Sequence, residues 1–171
     1  MVYRRNRLEQ FGKQMGMGPA VTLLVAANVV VFVLQMLTNT ARGYGMGGPL
    51  MEWFSFVPYF AFEKFQVWRF LTYMFLHGSF WHIALNMFVL WMFGPRLESV
   101  WGKRTFLIYY FVCGVGGAIT YGIFSLVGLK ALTPMVGASG AIYGLLAGAF
   151  DESTAFEETD WRHSGKAFRL P

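Results

Sequence analysis

Apolar residues fall along the chain in runs, and the charged residues are concentrated between them. The first run covers 19–37 and reads PAVTLLVAANVVVFVLQML. No Asp, Glu, Lys or Arg occurs between Arg69 and Arg96, or between Arg104 and Lys130. Each of these gaps is long enough for the roughly 20 residues that cross a bilayer as a helix. The pattern therefore predicts an all-α fold, a polytopic bundle of transmembrane helices.

The runs also predict the organisation of the chain. A basic N-terminal tail covers 1–18, a membrane domain covers 19–150, and a polar tail that we expect to be non-native or disordered covers 151–171. Within the membrane domain we predict four helices, at about 19–38, 79–97, 105–128 and 139–150.

Composition supports this prediction and limits the function classes. Apolar residues make up 56% of the chain and charged residues 13%, about half the roughly 25% of a soluble domain. The net charge of +5 comes from basic residues at the ends of apolar runs, which is typical of topology signals. We therefore expect the lipid bilayer as a partner, no nucleic acid, and a cytoplasmic N-terminus. The expected location is a bacterial inner membrane.

The fourth run is too short to cross a bilayer from its surface. Pro134, Gly137 and Gly140 disfavour helix before Ser139. The twelve residues from Ser139 to Phe150 cover only about 18 Å, against about 30 Å of hydrocarbon. Irregular backbone at that depth must be buried in protein or line a wet cavity. The sequence thus predicts a submerged cavity with Ser139 at its floor.

Ser139 is a candidate nucleophile because it lies between glycines at the predicted start of a helix. The unpaired N–H groups of a first helical turn can stabilise an oxyanion beside an open hydroxyl. A structural interpretation also exists, in which Gly140, Gly144 and Gly148 form a stripe of small residues and Ser139 is one more packing residue.

His82 and Asn86 are four residues apart and share one helix face. Both are polar at a depth where polar side chains are costly and usually mark a site, and both can donate a hydrogen bond to an oxyanion. Two other interpretations stay open. The pair could form a helix–helix contact, or the chain could be an unrelated small bundle that binds haem or quinone.

Taken together, these motifs resemble the rhomboid family of intramembrane proteases. The elements are Trp68-Arg69, the series His77, His82 and Asn86, Gly94-Pro95 with Glu98, and GASG at 137–140. The resemblance implies a serine–histidine dyad below the membrane surface, with Ser139 as nucleophile and with His82, Asn86 and the backbone N–H of Ser139 around the oxyanion. Transmembrane proteins would be the substrates, and no metal or cofactor is expected.

The resemblance also implies supporting roles for other residues. Tyr143 matches a ring that packs against the catalytic histidine, and Trp68 and Arg69 match a structural motif of the first loop. Glu98 matches an anchor at the far end of the second helix. Gly137, Gly140 and His77 belong to the same motifs. The oligomeric state cannot be read from the sequence.

The chain departs from the family after Phe150. A rhomboid core has six helices with the catalytic histidine on the sixth, whereas 151–171 is polar and holds five of the nine acidic residues. His163, in that tail, is not expected to act as a base. We therefore expect the partner histidine to be absent, Ser139 to be a poor nucleophile, and the glycine stripe to face lipid. A truncated or frame-shifted product is one hypothesis, and a rhomboid-like protein that binds transmembrane segments without cutting them is the alternative function.

Overall fold

The computed structural model describes residues 16–39, 48–126 and 133–149. Its elements are α1 Pro19–Asn39, α2 Pro49–Phe54, α3 Pro58–Phe62, α4 Arg69–Thr72, a 3₁₀ turn Tyr73–Phe75, α5 Phe80–Leu126 and α6 Ser139–Ala149. The described ranges contain no strand beyond one isolated antiparallel bridge, between Phe56 and Met135. The predicted all-α class is confirmed.

Two of these helices, α1 and α5, are long and apolar enough to cross a membrane. The 47 residues of α5 cover about 70 Å, more than twice the hydrocarbon thickness. The helix is interrupted at Gly102, where φ is 76° and ψ is 156°. We call residues 80–101 the first limb of α5 and residues 103–126 its second limb.

The junction at Gly102 differs from the predicted one. The sequence predicts helices at 79–97 and 105–128 with a connection of several residues, but in the structure helical backbone continues up to Gly102 and resumes after it. A left-handed φ costs glycine nothing, because it has no Cβ. One residue is therefore enough to turn the chain, and the charged positions of the connection lie on the helix ends.

The glycine stripe of α6 packs against protein, so the expectation that it would face lipid is wrong. A Cβ on Gly117, in the second limb of α5, would lie 3.5 Å from the Cα of Gly140. Gly144 lies against the Cys113 side chain, and a Cβ on Gly148 would lie 2.6 Å from the Trp101 ring. Small residues let the two helices approach closely, as they do in other membrane helix pairs.

Glu98 joins the first limb of α5 to the start of α1. Its buried carboxylate accepts hydrogen bonds from the backbone N–H of Ala20 at 2.8 Å and of Val21 at 3.0 Å. These N–H groups belong to the first turn of α1 and have no partner within the helix. A negative charge is also favourable at the positive end of the helix dipole. Glu98 therefore caps α1.

The first loop, residues 48–79, is held by Trp68, Arg69 and Thr72. Their side chains donate to four successive carbonyls at the end of α2, which a helix otherwise leaves without partners. The bonds run from Arg69 to Glu52 (2.7 Å) and Ser55 (2.5 Å), from Trp68 to Trp53 (3.1 Å), and from Thr72 to Phe54 (2.8 Å). The loop is thus a fixed platform beside α6.

Candidate active site

The backbone that enters α6 is irregular, and the first loop satisfies its polar groups. Phe56 and Met135 exchange two hydrogen bonds, at 3.0 and 2.9 Å, and the N–H of Gly137 donates to the carbonyl of Tyr73 at 2.9 Å. Buried backbone needs such partners, above all inside a bilayer. The first loop therefore fixes the path of the chain up to Ser139.

Gly137 brings this path against two side chains of α5. Its φ is +110°, and a Cβ at this position would lie 2.5 Å from Nε2 of His82 and 3.5 Å from Nδ2 of Asn86. Both the backbone conformation and the space exclude a larger residue. The Cα of Ser139 lies at most about 7.6 Å further along the chain. The structure thus gathers the polar residues of α5 around the start of α6.

Asn86 presents a donor that is not used. The residue is 7% exposed, and within the described ranges its Nδ2 has no hydrogen-bond partner. An unsatisfied buried donor costs on the order of 1–3 kcal/mol, so native structures contain few of them. Because this amide nitrogen faces the backbone just before Ser139, it can donate to an acceptor that enters the site.

His82 is half-buried and held in place by the start of α5. The hydroxyl of Ser79 accepts the backbone N–H of His82 at 3.1 Å. This is the bond that a serine N-cap forms with the third residue of a helix. The cap fixes where α5 begins and thereby the position of the His82 ring beside Gly137.

Ser139 is half-buried at the first residue of α6. The first bond of the α6 ladder runs from the N–H of Ile142 to the carbonyl of Ala138, at 3.0 Å. The N–H groups of residues 139–141 precede that bond and form the electropositive end of the helix. Ser139 therefore lies at a helix end where an anion is favoured.

His77 is buried, with its ring edge-on to that of His82 at a centroid distance of 5.1 Å. The pKa of His77 is lowered to about 4, mainly by burial and also by charge on His82, while the Phe75 backbone acts in the opposite direction. The ring is therefore neutral at physiological pH, and neither of its nitrogens has a hydrogen-bond partner within the described ranges.

Gln35 belongs to this region and was not predicted from the sequence. Its side-chain oxygen accepts the N–H of His77 at 3.0 Å, and its side-chain nitrogen donates to the carbonyl of His77 at 3.2 Å. The available signal was a glutamine inside the apolar run of α1, since polar side chains within membrane helices usually have a defined partner.

For the remaining predicted residues, the structure gives fewer contacts around Ser139. Gly140 lies beside the hydroxyl of Tyr73. Tyr143 is 72% exposed, so no ring packs over it within the described ranges, and its predicted role stays a prediction. His163 lies outside the described residues. Among the residues that the structure describes, no group of three His, Cys, Asp or Glu side chains could hold a metal ion.

Within the described ranges the fold is an all-α bundle with two candidate membrane helices, as a rhomboid-like protein would have. The sequence profile of the Rhomboid domain matches residues 64–159. The putative rhomboid protease YdcA of Bacillus subtilis is 30% identical, over 81% of this chain and 65% of its own length. The mitochondrial RHOMBOID-like protein 6 of Arabidopsis thaliana is 31% identical, over 75% of this chain and 50% of its own.

The rhomboid protease GluP of Bacillus subtilis matches a shorter segment. It is 39% identical over 46% of this chain and 14% of its own length. The chain belongs to the rhomboid family, and the family predicted from the motifs is confirmed. It spans about two thirds or less of the length of these relatives.

Proposed function

We propose that this chain carries the nucleophile and the oxyanion donors of a rhomboid-type intramembrane serine endopeptidase. The proposal depends mainly on one observation, the contact of Gly137 with both His82 and Asn86 two residues before Ser139. Serine hydrolases place a hydroxyl beside preorganised donors in this way. The substrates are proposed to be transmembrane proteins that reach the site from the bilayer.

In the proposed reaction the Ser139 hydroxyl oxygen attacks the carbonyl carbon of the scissile peptide bond. The carbonyl oxygen becomes an oxyanion, which the Asn86 amide, the His82 ring and the backbone N–H of Ser139 stabilise. Removing one such donor from a serine protease costs roughly 10²–10³ in rate. A general base must also accept the serine proton. The family resemblance implies a histidine for this step, and His163, the one histidine that follows Ser139 in the sequence, is not expected to fill that role.

The proposed location is a bacterial inner membrane, with the N-terminus in the cytoplasm. The basic residues Arg96, Lys103 and Arg104 lie on either side of the turn at Gly102. Such residues are retained on the cytoplasmic side. On this orientation the site around Ser139 opens toward the opposite side.

The test is covalent labelling of the purified chain in detergent with a fluorophosphonate, with and without added imidazole. Free imidazole supplies a base, so we expect labelling that depends on Ser139 and rises with imidazole concentration. Ser139→Ala should abolish it. Ser99→Ala is the matched control, because the Ser99 hydroxyl instead donates to the Arg96 carbonyl at 2.7 Å and should leave labelling unchanged.

Two results would overturn the proposal. Equal labelling of the chain and of Ser139→Ala would show that the serine is not a nucleophile. Capture of a transmembrane peptide without labelling that depends on Ser139 would instead support a non-cleaving member of the family.

A further inference from the structure

Tyr73 contacts the chain on both sides of Ser139, and no motif of the sequence pointed to it. The residue is fully buried at the start of the 3₁₀ turn. Its ring packs at 6.1 Å from that of Phe56, the residue paired with Met135. Tyr73 is therefore part of the platform that holds the entry to α6.

The backbone of Tyr73 fixes the segment before Ser139. Its carbonyl accepts the N–H of Gly137 at 2.9 Å, the residue that contacts His82. This bond controls how deeply the irregular segment lies against α5. A shift of the Tyr73 backbone would thus move residue 137 relative to the two proposed oxyanion donors.

The hydroxyl of Tyr73 fixes the segment after Ser139. A Cβ on Gly140 would lie 3.1 Å from this oxygen, and a Cβ on Gly117 would lie 3.4 Å from it. The hydroxyl donates to the carbonyl of Gly114 at 2.7 Å. The oxygen therefore lies between the second limb of α5 and the first turn of α6, bonded to the first and in contact with the second.

We infer that Tyr73 is a positioning residue that sets the height and rotation of Ser139 relative to His82 and Asn86. This inference rests on the proposed function for its catalytic consequence. Displacing a reacting group by 1 Å can cost on the order of 10²-fold in rate. Tyr73 is not expected to meet a substrate atom, because the residue is fully buried between the helices.

The position of residue 139 can be measured without catalysis. Ser139→Cys in a Cys113→Ala background carries a single thiol, since Cys113 is the one cysteine of the chain. The readout is the rate at which a small methanethiosulfonate modifies that thiol in detergent. Adding Tyr73→Phe should change this rate at least about threefold, because the thiol would rotate or move relative to the solvent that carries the reagent.

Tyr110→Phe is the matched control. Tyr110 is an equally buried tyrosine of α5, and its hydroxyl faces Asn28 of α1. Loss of this hydroxyl should leave the thiol rate within about twofold of the parent, since the hydroxyl lies toward Asn28 of α1 rather than against the glycines of α6. If the thiol rate changed equally in Tyr73→Phe and Tyr110→Phe, the effect would come from a general loss of packing in the bundle, and the inference would be overturned.

Gly140→Ala provides a second arm if Tyr73→Phe folds poorly. The added methyl group meets the Tyr73 oxygen, so Gly140→Ala alone should change the thiol rate. Combined with Tyr73→Phe, which removes that oxygen, the change should be largely reversed. Coupling of this sign is expected only for residues in contact. Additive effects of the two substitutions would contradict the inference.

The outcomes separate this inference from the proposed function. If the thiol modification rates change as expected but fluorophosphonate never labels Ser139, the protease proposal fails and the positioning role of Tyr73 stands. If Ser139 is labelled and the chain cleaves a reporter, Tyr73→Phe should lower kcat and leave KM unchanged. An unchanged kcat together with an unchanged thiol rate would overturn the inference.

Discussion

The buried carboxylate at one end of the bundle is fully paired, whereas a buried amide at the other end is not. At the anchor end, defined by Glu98 and the start of α1, both carboxylate oxygens accept backbone N–H groups. At the site end, defined by Ser139, His82 and Asn86, the buried Asn86 amide has no acceptor within the described ranges. The two ends are about 24 Å apart along the first limb of α5.

This difference indicates a structural role for the first end and a chemical role for the second. A buried polar group that is fully paired adds stability and specifies how helices meet. One that stays unpaired lowers stability, and native proteins retain it mainly where a ligand or transition state completes it. On this basis Glu98 is a structural anchor, and Asn86 is available to bind. Substitutions at the two ends should therefore affect different observables.

The largest effect is expected for Gly137→Ala at the site end. The substitution places a methyl group against the His82 ring in a backbone conformation that alanine rarely adopts. We expect imidazole-assisted labelling of Ser139 to fall by on the order of 10²-fold. Gly116→Ala is the control, because a Cβ on Gly116 meets nothing within 4 Å. If both variants labelled at the parental rate, Gly137 would not be fixing the site.

A smaller effect, on stability alone, is expected for Glu98→Ala at the anchor end. The change removes a charge from the start of α1 and leaves two N–H groups unpaired, at a cost of roughly 2–4 kcal/mol. Thermal unfolding in detergent should show a lower midpoint, while labelling of Ser139 well below that midpoint is retained. Glu63→Ala serves as control, because Glu63 is exposed. Loss of labelling at low temperature would argue against separate roles for the two ends.

The smallest effect concerns pH and His77. The pKa of His77 in the folded chain is lowered from 6.5 to about 4, so the unfolded chain binds more protons between these values. Stability should consequently be full well above pH 6.5 and decrease as the pH falls through this window, by roughly 2 kcal/mol at pH 5. Unfolding midpoints measured across this window would show the slope, and His77→Asn should flatten it. A slope unchanged in His77→Asn would assign the effect to another group.

Local pattern was enough to predict the fold class. Charge-free gaps mark membrane helices because each charged residue in a bilayer is costly. The start of α6 at Ser139 followed from the helix-disfavouring residues that precede it. The one-residue junction at Gly102 could not be predicted in this way, since a single left-handed glycine and a longer loop have similar local composition.

Pairing between distant residues was not predictable. The motifs drew attention to Ser139, His82 and Asn86, and their proposed roles stay predictions. Whether a buried polar group has a partner depends on contacts between remote segments, such as Gln35 with His77 and Tyr73 with Gly114. No periodicity within one run carries that information. Tyr73 and Gln35 were therefore missed, although both hold the platform on which the site is built.

If Ser139 is the nucleophile and the Asn86 amide a donor to the oxyanion, Asn86→Ala should weaken the chemistry without weakening the fold. Labelling of Ser139 and the unfolding midpoint are measured on the same preparation. We expect labelling to fall by on the order of 10²-fold while the midpoint stays unchanged or rises, because the unpaired buried amide is removed. A lower midpoint with labelling at the parental rate would show that Asn86 is structural and not a donor.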